Sequence, residues 1–268
     1  MTKNTSLTFL KLGGSLITDK TRQLTAKEDV IARLAAEIAV SQADRPNRTL
    51  VIGHGSGSFG HAIAHQYQTQ DGVSGRTGWQ GFAEVWMAAR ELNQIVVSTL
   101  GAAGLPVIAF PPSAGVLAAG KQLQSWDTQP LQAALSHRLV PVVQGDVIFD
   151  TQQGGTIFST EQVFQHLARP LQPSQILLAG AEAGVYLDPS RPEAIIPAIT
   201  PNSFEAIKHK LSGSGAVDVT GGMLSKVEWM LSLVRAIPNL QVRIFSGAVP
   251  GQVQKALAGE PIGTLISL

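Results

Sequence analysis

Short apolar segments alternate with longer amphipathic segments along most of this chain, and this alternation restricts the fold more than any other feature. The apolar segments suit strands, and the segments between them have the periodicity of helices. Strands are predicted at 7–12, 50–53, 107–110, 140–143, 175–179 and 242–245. Helices are predicted at 26–40, 58–68, 79–102, 131–137, 159–167, 200–207 and 222–236. Strands separated by helices favour an α/β fold with a mostly parallel sheet covered on both faces.

Two of the predicted helices begin with a capping-box pattern. Thr25 stands three residues before Glu28, and Ser159 stands three residues before Gln162. The segment 147–157 contains the pair Gly154 and Gly155 and is predicted to form a hairpin. These local signals fix where several elements begin and turn.

The bulk composition narrows the classes of function. The 20 basic and 19 acidic residues give a net charge of +1, without the basic excess typical of proteins that bind nucleic acids or anionic membranes. The absence of cysteine excludes disulfides, thiolate nucleophiles and zinc–thiolate sites. No apolar run approaches the roughly 18 residues of a membrane span, and the N-terminus lacks the apolar run of a signal peptide. We therefore expect a cytoplasmic protein that acts on small molecules.

Glycine accounts for 27 of the 268 residues, and much of it is clustered. The first predicted strand ends in the sequence KLGGS, residues 11–15, and Lys20 follows soon after. Adjacent glycines let backbone N–H groups approach an anion because no Cβ is in the way. This turn is therefore a candidate phosphate site, and a strand-ending turn with two solvated lysines explains it equally well.

A second glycine turn, HGSGSFGH at residues 54–61, follows the second predicted strand and precedes a helix. The free amides of a helix N-terminus favour an anion. The turn lacks the GK[ST] of a P-loop and the glycine spacing of a dinucleotide-binding fingerprint. The phosphate interpretation therefore depends on two glycine turns at the carboxyl ends of strands, where open α/β sheets bind ligands. Taken alone, a histidine such as His61 is more often packed or exposed than catalytic.

Two further turns carry charge. Asp146 lies in the sequence QGD directly after a predicted strand, and Lys226 ends the sequence DVTGGMLSK, residues 218–226. Together the four turns provide glycines, lysines and a carboxylate but no metal-ligand cluster. Phosphoryl transfer needs positioning and charge neutralisation more than covalent chemistry, so this combination fits it.

In their order and spacing, KLGGS, HGSGSFGH, GDV and DVTGGMLSK resemble the amino acid kinase superfamily over nearly the whole chain. The GSFGH ending and the Thr-Asp-Lys after KLGGS resemble the isopentenyl phosphate kinases most closely. The resemblance implies an open αβα sandwich, usually a homodimer, that transfers a phosphoryl group from ATP to isopentenyl phosphate. It also implies a single domain over 1–268, with an acceptor side to about residue 170 and a nucleotide side over 171–268.

The resemblance further implies roles for the matching residues. ATP would be bound by Lys11, Gly13, Gly14, Ser15, Ser56, Gly184, Gly222 and Lys226. Lys20 would stabilise the transferring phosphoryl group, and Asp146 would organise the lysines. The acceptor phosphate would be bound by Gly55, Gly60 and His61, with Thr160 where the family usually has a glycine. Mg²⁺ would be carried by the ATP phosphates, with no metal ligands from the protein.

The acceptor in this family is itself a phosphate monoester, so its oxygen is already a nucleophile and no general base is needed. His61, by donating a hydrogen bond to that phosphate, would select a phosphorylated acceptor over a free alcohol. Phe82, Val85, Trp86 and Ala89 recur at helical spacing and make one apolar face. Such a face most often packs in the core, but in the resembled family this helix lines a pocket for a short isoprenoid tail. Phe82 and Trp86 would then restrict the tail length.

The chain departs from the family at Ala181 and Ala183, where relatives typically have acidic residues beside the nucleotide, which leaves the base preference open. Two alternatives remain. One is a kinase of the same superfamily that phosphorylates another small phosphate or a phosphonate such as fosfomycin. The other is an inactive nucleotide-binding regulator, which only Ala181 and Ala183 favour and which the presence of Lys11 and His61 opposes.

Overall fold

The structure is a computed structural model that describes residues 6–188, 194–211 and 222–268. The strands of this part of the chain are β1 (Leu7–Leu12), β2 (Thr49–His54), β3 (Val107–Ala109), β4 (Val116–Ala119), β5 (Gln122–Trp126), β6 (Val140–Gln144), β7 (Asp146–Asp150), β8 (Gly154–Phe158), β9 (Gln175–Gly180), β10 (Ala198–Ile199), β11 (Gln241–Ser246) and β12 (Thr264–Ile266). The α-helices of the same residues are α1 (Gly14–Ile17), α2 (Glu28–Asp44), α3 (His61–Tyr67), α4 (Gly75–Ala102), α5 (Gln129–Ser136), α6 (Thr160–Leu171), α7 (Pro201–Leu211), α8 (Gly222–Ala236) and α9 (Gln252–Ala258).

A large sheet forms the centre of the molecule, and its strand order in the described residues is β10-β12-β11-β9-β1-β2-β6-β3. Neighbouring strands are parallel except β11 and β12, which are antiparallel. Alternate side chains of the central strands enter different cores, since Phe9 packs on one face and Leu10 on the other. One core contains residues of α6 and α8, and the other contains residues of α2, α4 and α9. The predicted α/β sandwich with a mostly parallel sheet is therefore confirmed.

A second, smaller sheet has the order β5-β4-β7-β8 and includes the predicted hairpin, now seen as β7 and β8. The sequence did not predict β4 and β5. Their turn places Gly120 and Lys121 at positive φ (58° and 63°), a conformation that lysine seldom adopts. Asp150 stabilises this turn, because its carboxylate accepts hydrogen bonds from the backbone N–H groups of Gly120 (3.0 Å) and Lys121 (2.7 Å).

The helix boundaries confirm one capping box and correct the other. Ser159 caps α6 reciprocally with Gln162, as predicted. Thr25 does not cap α2, because its hydroxyl donates to Gln23 O (2.9 Å) and the helix begins at Glu28 without a side-chain cap. α4 begins at Gly75, four residues before the predicted start, and α3 begins only at His61, after a 3₁₀ turn at 57–59.

The parallel arrangement brings the ends of several strands to one edge. Leu12 is in register with His54, and His54 is in register with Gln144, so β1, β2 and β6 end side by side. β9, on the other side of β1, ends at the same edge. Each predicted glycine turn whose residues are described follows one of these strand ends. No helix in the described residues combines the length and the apolarity that crossing a bilayer requires.

Candidate active site

The two predicted glycine turns are in direct backbone contact. Gly55 N donates to Leu12 O (3.1 Å), which joins the end of β2 to the end of β1. A Cβ at Gly14 would lie 2.5 Å from Gly57 N, and a Cβ at Gly55 would lie 2.8 Å from Gly14 N. These distances leave no space for a side chain at Gly14 or Gly55. The contact between the two turns therefore requires glycine at both positions, whether or not an anion is bound.

The side chain of Thr18 stabilises this contact between the two turns. Its buried hydroxyl donates to Gly14 O (2.7 Å) and accepts from Ser58 N (3.0 Å), so one side chain bonds both turns. Gly57 adopts a positive φ (50°) beside Thr18, where a Cβ would lie 2.0 Å from Thr18 Oγ1. Lys20 follows two residues later on an exposed turn, and Thr25 N, at the far end of that turn, donates to Ser58 Oγ (3.4 Å).

A buried ion pair joins Lys11, near the end of β1, to Glu161 in the first turn of α6. Burial by itself raises the pKa of Glu161, but the charges of Lys11 and Lys226 outweigh burial and hold it below the ordinary value. Glu161 therefore stays ionised. Lys11, from β1, is paired with it, and the charge of Lys226, on α8, also acts on it.

The sequence analysis missed Glu161 and assigned its task to Asp146. In the structure the carboxylate that bonds Lys11 is Glu161, so the assignment of Asp146 as the group that organises the lysines is corrected. Asp146 instead accepts hydrogen bonds from Ser113 N (3.1 Å) and Val147 N (2.9 Å), and burial raises its pKa to about 6. It supports the junction between the two sheets, since β6 ends at Gln144 and β7 begins at Asp146.

The two histidines of the second turn have different surroundings. His54 is buried, and Asn93 Nδ2 donates to its Nε2 (3.0 Å) while its Nδ1–H donates to Gly55 O (3.2 Å). Burial, with the nearby charge of Lys11, lowers the pKa of His54 to about 4 despite the bond to Gly55, so the ring is neutral. His61 is half-buried at the first position of α3, directly after Gly60.

Several other predicted residues have structural tasks in the fold. Thr160 is buried and its hydroxyl donates to His54 O (2.7 Å), so that proton is already used within the protein. Gly184 is buried where a Cβ would lie 2.7 Å from Thr264 Oγ1, which explains the glycine by packing alone. Gly13 N donates to Ala179 O (2.8 Å) and joins the first turn to β9.

The remaining predicted residues lie along the same edge or at its border. Ser15 is half-buried in α1, and Ser56 precedes the 3₁₀ turn of the second glycine loop, 2.7 Å from where a Cβ of Gly60 would lie. Gly222 is the first residue of α8, with a φ of 65°. The preceding residues of the fourth motif, 218–221, lie outside the described residues.

The apolar face predicted on α4 divides in two. Phe82 and Val85 are buried with Val73 and Val147, a set that we name the α4 cluster, and Ile63, Ala64 and Ile157 pack against it. Trp86 is 38% exposed, and the guanidinium of Arg90 lies over its ring (5.8 Å). The prediction that Trp86 shares the inward face of Phe82 is therefore wrong. Helical spacing showed that Phe82 and Trp86 lie on one side of α4, but it did not show which part of that side the fold buries.

Two half-exposed aromatic rings, which the sequence analysis did not single out, cover the outer side of Phe82. Trp79 and Phe149 lie 5.4 Å and 5.0 Å from the Phe82 ring, measured between centroids. Phe149 follows Val147 by two residues on β7, so both side chains are on one face of that strand. The α4 cluster thus begins beside α3 and ends at aromatic rings on the surface.

Comparison with known proteins agrees with this architecture. A model of the amino acid kinase family matches residues 6–246. The isopentenyl phosphate kinase of Methanocaldococcus jannaschii is 35% identical over 266 residues, which cover 97% of this chain and 98% of that protein. The isopentenyl phosphate kinase of Haloferax volcanii is 36% identical over the same length and coverage. An X-ray structure of an isopentenyl phosphate kinase matches with a TM-score of 0.81 and 29% identity, covering 97% of this chain and all of that one.

Proposed function

Because this chain belongs to the amino acid kinase family, we propose that it transfers a phosphoryl group from ATP to isopentenyl phosphate and forms isopentenyl diphosphate. One observation carries the proposal. The glycine turn that ends in His61 packs directly on the KLGGS turn, in a chain that matches isopentenyl phosphate kinases over 97% of its length.

The reaction requires no general base. The acceptor phosphate is mostly dianionic near neutral pH, so one of its oxygens can attack the γ-phosphorus of ATP directly. A bond forms between that oxygen and the γ-phosphorus, the bond from the γ-phosphorus to the bridging oxygen breaks, and ADP leaves with the electron pair. The difficulty is electrostatic, since two anions must meet.

Lysines and backbone amides offset that repulsion. Lys11 forms a buried ion pair with Glu161, and the charge of Lys226 acts on the same carboxylate. We propose that these two lysines contact the ATP phosphates together with the amides of Gly13, Gly14 and Ser15. We assign Lys20, on the exposed turn whose far end bonds Ser58, to the transferring phosphoryl group.

We propose that Mg²⁺ binds together with ATP. We assign Mg²⁺ to the phosphate oxygens of ATP, because this hard cation prefers oxygen ligands and is usually bound through substrate phosphates. When bound there, the ion neutralises charge on the β- and γ-phosphates. The role of the protein is to orient the phosphates through the lysines and the glycine amides.

We assign acceptor binding to the second glycine turn and the α4 cluster. Gly55, Ser56, Gly60 and His61 belong to this turn and would hold the acceptor phosphate. The α4 cluster, of which Ile63 and Ala64 on α3 are neighbours, would then receive the hydrocarbon tail. Burial of a five-carbon tail provides roughly 0.8 kcal/mol per CH₂, a few kcal/mol in total.

The assembly and its location are further parts of the proposal. β3 is an edge strand with Ile108 40% exposed, and α4, which packs on it, exposes Trp86 and Met87. Exposed apolar side chains on an edge strand of the described sheet and on the helix that packs on it favour a two-fold homodimer, which sedimentation velocity would test. β1 pairs with both β2 and β9, which supports a single domain. We propose a cytoplasmic location, where ATP is available.

A coupled assay of ADP release over a panel of small phosphates tests the proposal. Isopentenyl phosphate should be turned over with a far higher kcat/KM than fosfomycin or the free alcohol isopentenol. Higher turnover of fosfomycin would favour the phosphonate alternative, which none of the relatives described above supports. Binding of ATP without turnover of any monophosphate would favour the inactive regulator.

A further inference from the structure

Gln144 has a hydrogen-bonding atom that the fold leaves unpaired. Gln144 is the last residue of β6 and is only 2% exposed. Its Oε1 is buried and has no hydrogen-bond donor among the described residues. A buried carbonyl oxygen without a partner is rare in folded proteins and unfavourable, so its presence beside a binding site indicates a missing partner.

The strand pattern places Gln144 on the side of the large sheet that α4 covers. Val142, two residues earlier, packs in the same core as Leu92 and Val96 of α4, whereas Val143 packs in the core on the opposite face. Because side chains alternate along a strand, Gln144 lies on the α4 side, one step beyond Val142 toward the carboxyl edge.

The α4 residues at this level are small. Leu92 belongs to the core beneath β6, and Val85, nearly two turns away, belongs to the α4 cluster with Val147. Ala88 and Ala89 lie between them on the helix and are both buried. Gln144 is thus located between the second glycine turn and the cluster that would receive the acceptor tail, at the level of these small side chains.

Neighbouring polar groups do not provide the missing donor. His54, the partner of Gln144 in the sheet, already uses both ring nitrogens, one with Asn93 and one with Gly55. The N–H groups of Ser113 and Val147 are directed to the carboxylate of Asp146. The hydrogen bonds given for these neighbours thus leave Gln144 Oε1 without a donor, so a ligand that enters the site is a candidate to supply one.

We propose that Gln144 hydrogen-bonds the tail of the acceptor, and that the acceptors of this enzyme include short alkyl phosphates that carry a hydroxyl group. This inference rests on the proposed kinase activity and extends its substrate class. A hydroxyl both donates and accepts, so it satisfies the amide whichever way the amide is turned. A purely hydrocarbon tail leaves the amide unpaired, and one such buried group changes an equilibrium by about tenfold.

The experiment compares kcat/KM for isopentenyl phosphate with kcat/KM for 3-hydroxy-3-methylbutyl phosphate and 4-hydroxy-3-methylbutyl phosphate. The proteins are the full-length wild type, Gln144→Leu and Gln144→Met. Methionine has nearly the length and shape of glutamine, so it keeps the test open if leucine impairs folding. Gln153→Leu is the matched control, because the Nε2 of Gln153 is also buried without a partner but lies at the turn between β7 and β8.

The inference requires the wild type to use at least one hydroxylated phosphate with kcat/KM similar to or above that for isopentenyl phosphate. Both Gln144 variants should lower the ratio of hydroxylated to hydrocarbon acceptor about tenfold, and Gln153→Leu should leave it unchanged. A ratio that moves less than threefold, as an amide paired with water or serving only the fold would give, overturns the inference. Absence of turnover with isopentenyl phosphate and with both hydroxylated acceptors would instead overturn the kinase activity itself.

Discussion

Lys11 and Glu161 are 150 residues apart in the chain and form a buried ion pair. The pair joins β1 to the start of α6, and the charge of Lys226 on α8 also acts on Glu161. A lone buried lysine tends to lose its proton, and a lone buried carboxylate tends to gain one. Each therefore keeps the other charged, and the site retains cations where phosphates would meet.

Replacing Glu161 by Gln should damage both the fold and the activity. The neutral amide breaks the buried ion pair with Lys11, and loss of one partner of such a pair typically costs about 3–5 kcal/mol of unfolding free energy. We expect kcat/KM to fall by at least about 10²-fold, since Lys11 would be displaced or deprotonated. Urea unfolding and steady-state kinetics measure the two effects. Glu205→Gln, which breaks the exposed pair with Lys208, is the control and should change neither. Full activity of Glu161→Gln would contradict the assigned role.

His61→Ala should impair use of the acceptor far more than binding of ATP. One hydrogen bond to a charged group is worth about 1.5–3 kcal/mol, so kcat/KM for isopentenyl phosphate should fall about 10- to 150-fold. The dissociation constant of ATP, measured by calorimetry, should change by less than about twofold. His65→Ala is the matched control, because His65 lies one turn later on α3 and is exposed. Equal losses for isopentenyl phosphate and for ATP would contradict the assignment of His61 to the acceptor phosphate.

The sequence predicted those parts of the site that depend on local signals. Strand ends and clustered glycines showed the turns at Gly14 and Gly55, because apolar runs and missing side chains are visible in any short window. It did not show that these turns touch, nor that Glu161 pairs with Lys11, since both depend on which strands become neighbours. Asp146 was chosen instead because it directly follows a strand.

Other failures have equally physical causes. β4 and β5 were missed because residues 116–126 lack a continued alternation of apolar and polar side chains, and their turn puts Lys121 at positive φ. Trp86 was assigned to the buried face of α4 because helical periodicity shows the direction of an apolar face but not how wide that face is. The hydrogen bond from the Thr160 hydroxyl to His54 O was also missed, because it spans 106 residues and no motif reports it.

Phe82→Ala should let the enzyme accept longer prenyl phosphates, whereas Trp86→Ala should not. Phe82 is buried in the α4 cluster, and its removal opens space toward the half-exposed rings of Trp79 and Phe149. The ratio of kcat/KM for geranyl phosphate to that for isopentenyl phosphate should rise at least about tenfold. Trp86 lies outside the cluster under Arg90 and is the control. The same increase with Trp86→Ala would mean that the tail lies on the other flank of α4. Phe82→Ala should also lower the unfolding free energy by about 3 kcal/mol or more.

Gly14→Ala should separate the two glycine turns. The added Cβ would lie 2.5 Å from Gly57 N, a distance that backbone atoms can relieve only by moving apart. A displacement of about 1 Å at reacting groups lowers rates by around 10²-fold, and we expect that loss in kcat/KM for both substrates. Gly101→Ala provides the control, because its Cβ would meet nothing closer than Val107 Cγ2 at 3.9 Å. Unchanged kinetics for Gly14→Ala would show that the turns need not touch.

Asp146→Asn should change the dependence of stability on pH. Burial raises the pKa of Asp146 to about 6, so the folded protein favours the protonated carboxyl. Its contribution to stability is therefore complete below the unfolded pKa, near 4, and is lost as pH rises through about 6. A neutral asparagine has no such loss, so the variant should gain stability relative to the wild type between about pH 4 and pH 7, by up to about 3 kcal/mol.

Urea unfolding at several pH values measures this gain, and Asp150→Asn supplies a control of opposite sign. Burial tends to raise the pKa of Asp150, but hydrogen bonds from Lys121, Gln152 and other backbone N–H groups outweigh it and lower that pKa. The stability contributed by Asp150 is therefore present above its unfolded pKa and lost as pH falls, so Asp150→Asn should lose stability relative to the wild type as pH rises. Parallel pH profiles for the two variants would show that burial does not govern the ionisation of Asp146.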